Sequence, residues 1–180
     1  MSQVFVTSDT HFGHTKILEW CKRPFKTVDE MDEILIDNWN RVVRKQDIVY
    51  FLGDLAWKNW KYYFDQLNGQ IHFIRGNHDK MSRSALLAAG VHSIQDIKDI
   101  KYGETYITLC HYPMRTWNKA AHGAIHFHGH CHTLKQHIDQ IYSDQENILD
   151  IGIDGWNYAP IRIEDAIEHV KQRITIHNRK

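Results

Sequence analysis

The chain has 180 residues, enough for one domain with a real hydrophobic core and no need of disulfide staples. Lys plus Arg number 22 and Asp plus Glu number 22, so overall charge predicts no stable grip on a long polyanion, although a local basic patch can hide in such a balance. Three scattered cysteines form no disulfide framework, the N-terminus lacks a basic and apolar leader, and no window reaches the roughly 18 apolar residues of a membrane span; the expected setting is the cytoplasm, away from membranes.

Val4 to Val6 is a short β-rich run that leads into Ser8, Asp9, Thr10 and His11. Thr27 to Glu30 reads as a capping box, with the Thr27 hydroxyl accepting from the third helical N–H and Glu30 reaching back. Met31, Ile34, Leu35, Trp39 and Val42 then fall on one helical face. Ile48 to Leu52 leads into Gly53 and Asp54. Beyond it, Trp57, Lys58, Trp60 and Lys61 interleave aromatic and basic side chains, as nucleic-acid sites do. A packed amphipathic helix with Tyr63, Phe64 and Leu67 inside is the simpler account of those tryptophans. Ile71 to Ile74 leads into Gly76, Asn77, His78 and Asp79. Ser84 to Ala89 is a short helix closed by Gly90. Tyr106 to Cys110 leads into His111, and Ile125 to Phe127 into His128, Gly129, His130, Cys131 and His132. Ile148 to Ile153 leads into Asp154 and Gly155, and Glu164 to Arg173 is a last helix. Strands alternating with helices predict an α/β chain, read as a single domain over 1–180 without repeat, low-complexity segment or linker.

Fourteen histidines without a His run point to a metal site. In open α/β sheets, ligands bind beyond the carboxyl ends of the strands. Here five such ends carry Asp, Asp, Asn, His and His-x-His in order. A lone carboxylate after a strand is more often a turn former, and a lone His a surface or core residue; the ordered set is what points to metal. Imidazole with carboxylate suits Mn, Fe, Zn, Co or Ni rather than Ca. Asp9 and His11 are two apart, as are His130 and His132, so in an extended segment each pair faces one side. Asp54 is a lone carboxylate able to bridge two ions about 3.5–4 Å apart.

These blocks, D-x-H at Asp9 and His11, G-D at Gly53 and Asp54, G-N-H-D from Gly76 to Asp79, His111, and G-H-x-H from Gly129 to His132, resemble the calcineurin-like metallophosphoesterase superfamily. The SDTHFGH opening, Arg23 to Phe25 and the His111-Tyr112-Pro113 turn are similar to a small bacterial and phage branch of it. The resemblance implies a sandwich of two mixed β-sheets flanked by helices. It implies Asp9, His11 and His132 on one metal, Asn77, His111 and His130 on a second, and Asp54 bridging both. The expected cofactors are two divalent transition-metal ions, manganese first, with Fe, Zn, Ni or Co as alternatives. The expected activity is hydrolysis of a phosphate ester by a metal-bridging hydroxide.

His78 adjoins a ligand and faces substrate, where it can protonate the leaving oxygen. Asp79 is read either as the carboxylate that orients His78 or as a turn residue. His14 reads as a helix-cap contact rather than a phosphate donor. His128 and Cys131 point away from the metals by alternation. Arg115 and Trp117 are candidates for a phosphate-gripping rim, and Arg23 is open to either use. A compact domain without a large cap favours a phosphodiesterase on a nucleotide-type or other small substrate. A phosphomonoesterase is the nearest alternative, and a non-catalytic scaffold of the same fold the alternative from another class. The partner expected is thus the phosphate-ester substrate alone, with the oligomeric state unread.

Overall fold

The computed structural model of the protein describes residues 2–132 and 147–177. One sheet has the order β4–β3–β2–β1–β9: β1 (Val4–Thr7), β2 (Ile48–Phe51), β3 (Gln70–Ile74) and β4 (Ser93–Gln95) run parallel, and β9 (Ile161–Arg162) pairs antiparallel with β1. The second sheet has the order β5–β6–β7–β8: β6 (Thr105–Cys110), β7 (Ile125–His128) and β8 (Ile148–Asp150) are parallel, and β5 (Ile97–Tyr102) is antiparallel to β6. These are the two mixed sheets expected.

The strands that bear motifs are the ones visible as apolar runs, because both their faces are covered. On β1, Phe5 enters one core cluster and Val6 the other. The cluster of Val6, Leu52, Ile74, Ile107, Leu109 and Phe127 draws on both sheets and therefore packs them face to face. The other holds Phe5, Val49, Phe51 and Phe73 against Met31, Leu35 and Trp39 of helix α2 (Val28–Val42). β5 is an edge strand of sequence Ile-Lys-Asp-Ile-Lys-Tyr, exposed and half-buried in alternation, which is why it carries no apolar run.

Helix α2 begins at Thr27, whose hydroxyl accepts from the Glu30 N–H at 3.1 Å. Glu30 reaches back one residue further than a capping box requires and accepts from the Lys26 N–H at 2.7 Å. The remaining helices are α1 (Thr15–Trp20), α3 (Trp60–Phe64), α4 (Arg83–Ala88) and α5 (Ile163–His177). Helix α4 starts one residue before its expected position because Ser82 caps the Ala85 N–H, and closes through the Val91 N–H to the Leu86 carbonyl and the Gly90 N–H to that of Leu87. The expected strand over Ile148–Ile153 stops at Asp150. Asp150 Oδ1 takes the Gly152 N–H at 2.8 Å, and Ser8 and Gly152 form a parallel bridge that ties the sheets together at their carboxyl ends. No helix among the described residues is long and apolar enough to cross a membrane.

Candidate metal centre

Register brings the motifs to one edge. Thr7, Phe51 and Phe73 are aligned across the first sheet, so the segments after them, with Asp9 and His11, with Asp54 and with Asn77, start side by side. In the second sheet Leu109, Phe127 and Leu149 are aligned, which sets His111, the Gly129–His132 turn and Asp154 beside one another. Contact here is close. A Cβ on Gly76 would lie 2.2 Å from Asp54 Oδ1, and one on Gly129 would lie 2.1 Å from Ser8 Oγ and 2.3 Å from Asp9 Oδ2. The glycines of G-N-H-D and G-H-x-H are therefore the space in which the carboxylates sit.

The expected extended geometry of Asp9–His11 and His130–His132 is not what the backbone adopts. Asp9, His11, Asp54, His130 and His132 all have positive φ, from 51° to 70°. Non-glycine residues rarely enter this left-handed region, at a cost of about 1–3 kcal/mol each when held there. The holding bonds are visible: the Asp9 N–H donates to the Gly53 carbonyl, His11 to Asp54 and Phe12 to Leu55, at 2.9–3.0 Å, and the Gly129 N–H donates to the His111 carbonyl at 3.0 Å. Pairing thus continues past the strand ends while the side chains are turned toward a common point.

At that point Asp54 Oδ2 stands 3.5 Å from His11 Nε2 and 3.6 Å from His111 Nε2. Asp9 Oδ1 is 3.8 Å from both His11 Nε2 and His132 Nε2. Asp9, His11 and His132 have their ligand atoms close enough to hold one ion, as have Asp9, Asp54 and His111. Asn77 joins through its Oδ1, 2.9 Å from His111 Nε2. The His130 ring lies 5.1 Å from that of His111 and 5.0 Å from that of Tyr112.

The donor set fits metal ions. Asp9 Oδ1 and His11 Nε2 are buried and have no hydrogen-bond partner, although burying a polar group unpaired is costly. Burial, then His132, keeps the His11 ring neutral far below the usual histidine range, so one ring nitrogen retains a lone pair. Burial also raises the Asp54 carboxyl, with His111 acting against it and Asp9 adding to it. On His111, Nδ1 donates to the Leu52 carbonyl at 2.7 Å, which turns Nε2 toward Asn77 Oδ1 and Asp54 Oδ2. Buried oxygen and nitrogen ligand atoms converging on one point are what a cation satisfies.

Two further residues support the centre: Asp154, which the motifs do not include, and Arg23, which the sequence leaves open. Asp154 accepts from His132 Nδ1 at 2.8 Å, the carboxylate–histidine arrangement that orients a metal-ligating ring. Burial opposes charge on His132, but Asp154, Cys21 and Asp9 outweigh it and push the ring up to about 11. Burial also works against the Asp154 carboxylate, yet His132 and Arg23 hold it below the usual range. Arg23 grips Asp154 in two-pronged fashion at 2.7 and 2.9 Å and donates to the Asp9 and Thr10 carbonyls at 2.7 and 2.8 Å. Asp154 sits at a strand end like the nominated ligands, and that signal could have found it. Arg23 is marked by the Arg23 to Phe25 segment, but its partner lies 131 positions away in sequence and carries no signal of the pairing.

Asp79 has a use other than orienting His78. Its Oδ2 accepts from the Asp54 and Gly76 N–H groups at 2.8 and 2.7 Å, and its Oδ1 from Leu55 at 3.1 Å. It therefore laces the ends of β2 and β3 together; burial raises its carboxyl to about 6 despite those three donors. His78 is half-buried, donates its N–H to Asp54 Oδ1 at 2.9 Å, and places its ring 5.4 Å from that of His11. His14 caps nothing with its side chain; it is buried and stacks on Trp57, centroids 4.3 Å apart and planes 7° apart. His128 is buried and bonds the Gly129 carbonyl through Nδ1, and burial pushes it down to about 3. The Cys131 thiol is pushed up by burial to about 12, far from a thiolate ligand. Trp117 packs on its own loop, donating to the Ala124 carbonyl at 2.9 Å, while Arg115 is exposed. Trp60, Tyr63 and Leu67 pack on the core with Phe64, as the helix reading has it, but Trp57 precedes the helix and is 45% exposed.

Comparison with known proteins bears on the family and the fold. The Methanocaldococcus jannaschii protein MJ1445, itself uncharacterized, is 34% identical over 179 residues, 96% of this chain and 93% of its own length. The gene 66 protein of Mycobacterium phage L5 is 29% identical, covering 98% of this chain and all of its own. The crystal structure of the Aquifex aeolicus protein of unknown function AQ665 shares the fold with a TM-score of 0.72 at 22% identity, over 93% of this chain and 99% of that one. Residues 2–148 match the calcineurin-like phosphoesterase superfamily domain, whose members imply divalent metal ions and a phosphate-ester substrate. With its motifs gathered at one sheet edge and the family match spanning most of its length, the chain belongs to the calcineurin-like phosphoesterase superfamily.

Proposed function

We propose that the chain, acting as one domain in the cytoplasm, is a dinuclear metal-dependent phosphodiesterase for a nucleotide-type or other small phosphate ester. The observation that carries this reading is Asp54 Oδ2, nearly equidistant from His11 Nε2 and His111 Nε2 at 3.5 and 3.6 Å. Asp9, His11 and His132 would hold one ion, Asn77, His111 and His130 the other, and Asp54 both, with manganese the first expectation. Two such ions lower the pKa of water and clamp the oxygens of an in-line displacement. The residues of the chain do the rest. Arg23 and Asp154 hold the β1 ligands and His132 in place, and Asp79 locks the loop that carries His78. His78 delivers a proton to the leaving oxygen. The exposure of Asn77 and His130 leaves the second half of the centre open, which suits a substrate with groups on both sides of phosphorus.

Turnover of bis-p-nitrophenyl phosphate and p-nitrophenyl phosphate with added Mn tests the reading. The diester is expected to be the better substrate. Faster monoester hydrolysis would make the protein a phosphomonoesterase, and no Mn-dependent turnover of either would leave a binding scaffold. His78→Ala should keep its metals and lose about 10²- to 10⁴-fold in turnover of alkyl esters. The loss should shrink for nitrophenyl esters, whose leaving group needs no proton. An equal loss for both classes would give His78 an electrostatic role instead.

A further inference from the structure

One wall of the cleft differs in composition from the chain as a whole. Trp57 is 45% exposed, with one face stacked on His14 and its ring 5.5 Å from that of His78. It divides two depressions. One, of about 210 Å³, runs from Trp57 to His78 and includes Lys58 and Lys80; the other includes His14, Lys16, Trp20 and Lys58. Neither lining contains a carboxylate, although acids equal bases in the chain. The Lys80 ammonium lies 5.9 Å over the Trp57 ring, and Lys16 lies 5.9 Å over Trp20, which is 58% exposed. All three lysines are exposed.

A scattered surface tryptophan needs no explanation, but this one is backed by a stacked histidine and stands beside the proton donor of the proposed reaction. An indole face stacks on any base, and lysines around it hold the phosphates of the same strand. We infer that Trp57, with Lys16, Lys58 and Lys80, forms a subsite for the departing half of the substrate, which is a nucleoside bearing a further phosphate. The inference rests on the phosphodiesterase reading above and narrows its substrate to an internal diester of a short nucleotide chain. Water gives up a proton to solvent as its oxygen bonds to phosphorus, the P–O bond to the departing nucleoside breaks, the alkoxide takes its proton from His78, and His78 regains one from solvent. The departing side is the Trp57 side because His78 is next to Trp57, whereas His111 and His130 adjoin Tyr112.

The test is kcat/KM of the Mn-reconstituted full chain for bis-p-nitrophenyl phosphate, TpT and pTpTp over a range of salt. The expected order places pTpTp above TpT, with an advantage that shrinks as salt rises and is reduced in Lys58→Ala. Trp57→Ala should raise KM for TpT by about 5- to 150-fold, the range carried by one stacked base, with a smaller change in kcat. Trp57→Phe should recover most of that loss. If bis-p-nitrophenyl phosphate is turned over but TpT and pTpTp are equal at low salt, the subsite is wrong and the diesterase reading stands. The same holds if Trp57→Ala lowers kcat and leaves KM unmoved. Absence of Mn-dependent turnover of every ester removes both.

Discussion

The two halves of the candidate centre are built to different standards. Around Asp9, His11 and His132 nearly everything is buried and tied. Asp9 and His11 are at most 2% exposed, Asp9 Oδ2 accepts from the His130 N–H at 3.0 Å, and Arg23 and Asp154 brace the backbone and the His132 ring from behind. Around His111 the support is thinner. His111 itself is buried and fixed by the Leu52 carbonyl, but Asn77 and His130 are exposed. The lesson is one of division of labour. A preorganised, dry half pays strain and desolvation before any ion arrives, whereas an open half leaves room for substrate to approach.

If so, breaking the brace should do the most damage. Asp154→Ala leaves the Arg23 guanidinium buried without its carboxylate, and removing one partner of a buried pair costs about 3–5 kcal/mol. It also frees the His132 ring, for which a loss of about 10- to 100-fold in metal affinity is expected. Thermal melts and calorimetric titration with Mn would read the two effects separately. A stable Asp154→Ala protein with parental affinity would mean that the brace is ornamental.

A smaller, one-sided effect is expected in the open half. Asn77→Ala removes an exposed side chain proposed as a ligand, so stability should move by no more than about 0.5 kcal/mol. The weaker of two metal-binding steps should weaken further while the tighter one persists. Loss of both steps together would show that the halves are not independent.

The smallest effect concerns the support of the β1 loop. Asp32 accepts from the Gly13 N–H and the Tyr63 hydroxyl, yet burial raises its carboxyl from 3.8 to about 6. The folded protein thus holds this proton more tightly than the unfolded chain. The stability it brings is complete below the unfolded value and is lost as pH rises through about 6. Asp32→Asn can keep the bond to Gly13 and donate to Tyr63, so the metal-free variant should lose less melting temperature than the parent between about pH 4 and 6. Parallel profiles would contradict the assignment.

Much of this is legible in the sequence. Asp9, Asp54, Asn77, His111, His130 and His132 each follow an apolar run, and parallel pairing carries such ends to one edge. The reasons they converge were not legible in the same way. Alternation in an extended chain put Asp9 with His11 for the wrong reason, since the left-handed turns are imposed by backbone bonds to Gly53 and Asp54. Asp79 was chemically ambiguous because a carboxylate beside a histidine serves equally well as a backbone acceptor. The role of Arg23 and the strand β5 are hidden for opposite reasons. The first acts across a long stretch of chain, and the second is an edge strand whose polar residues face water.

The central claim is that Asp54 joins the two halves, and metal stoichiometry tests it most directly. In the parent, calorimetric titration with Mn should saturate at two ions per chain. In Asp54→Asn the shape is kept, but the negative charge that offsets two close dications is gone. The variant should therefore bind markedly less than two ions and be nearly inactive, with its circular dichroism unchanged. If Asp54→Asn instead holds two ions as tightly as the parent, Asp54 is not the bridge, and the division of ligands between the halves must be redrawn.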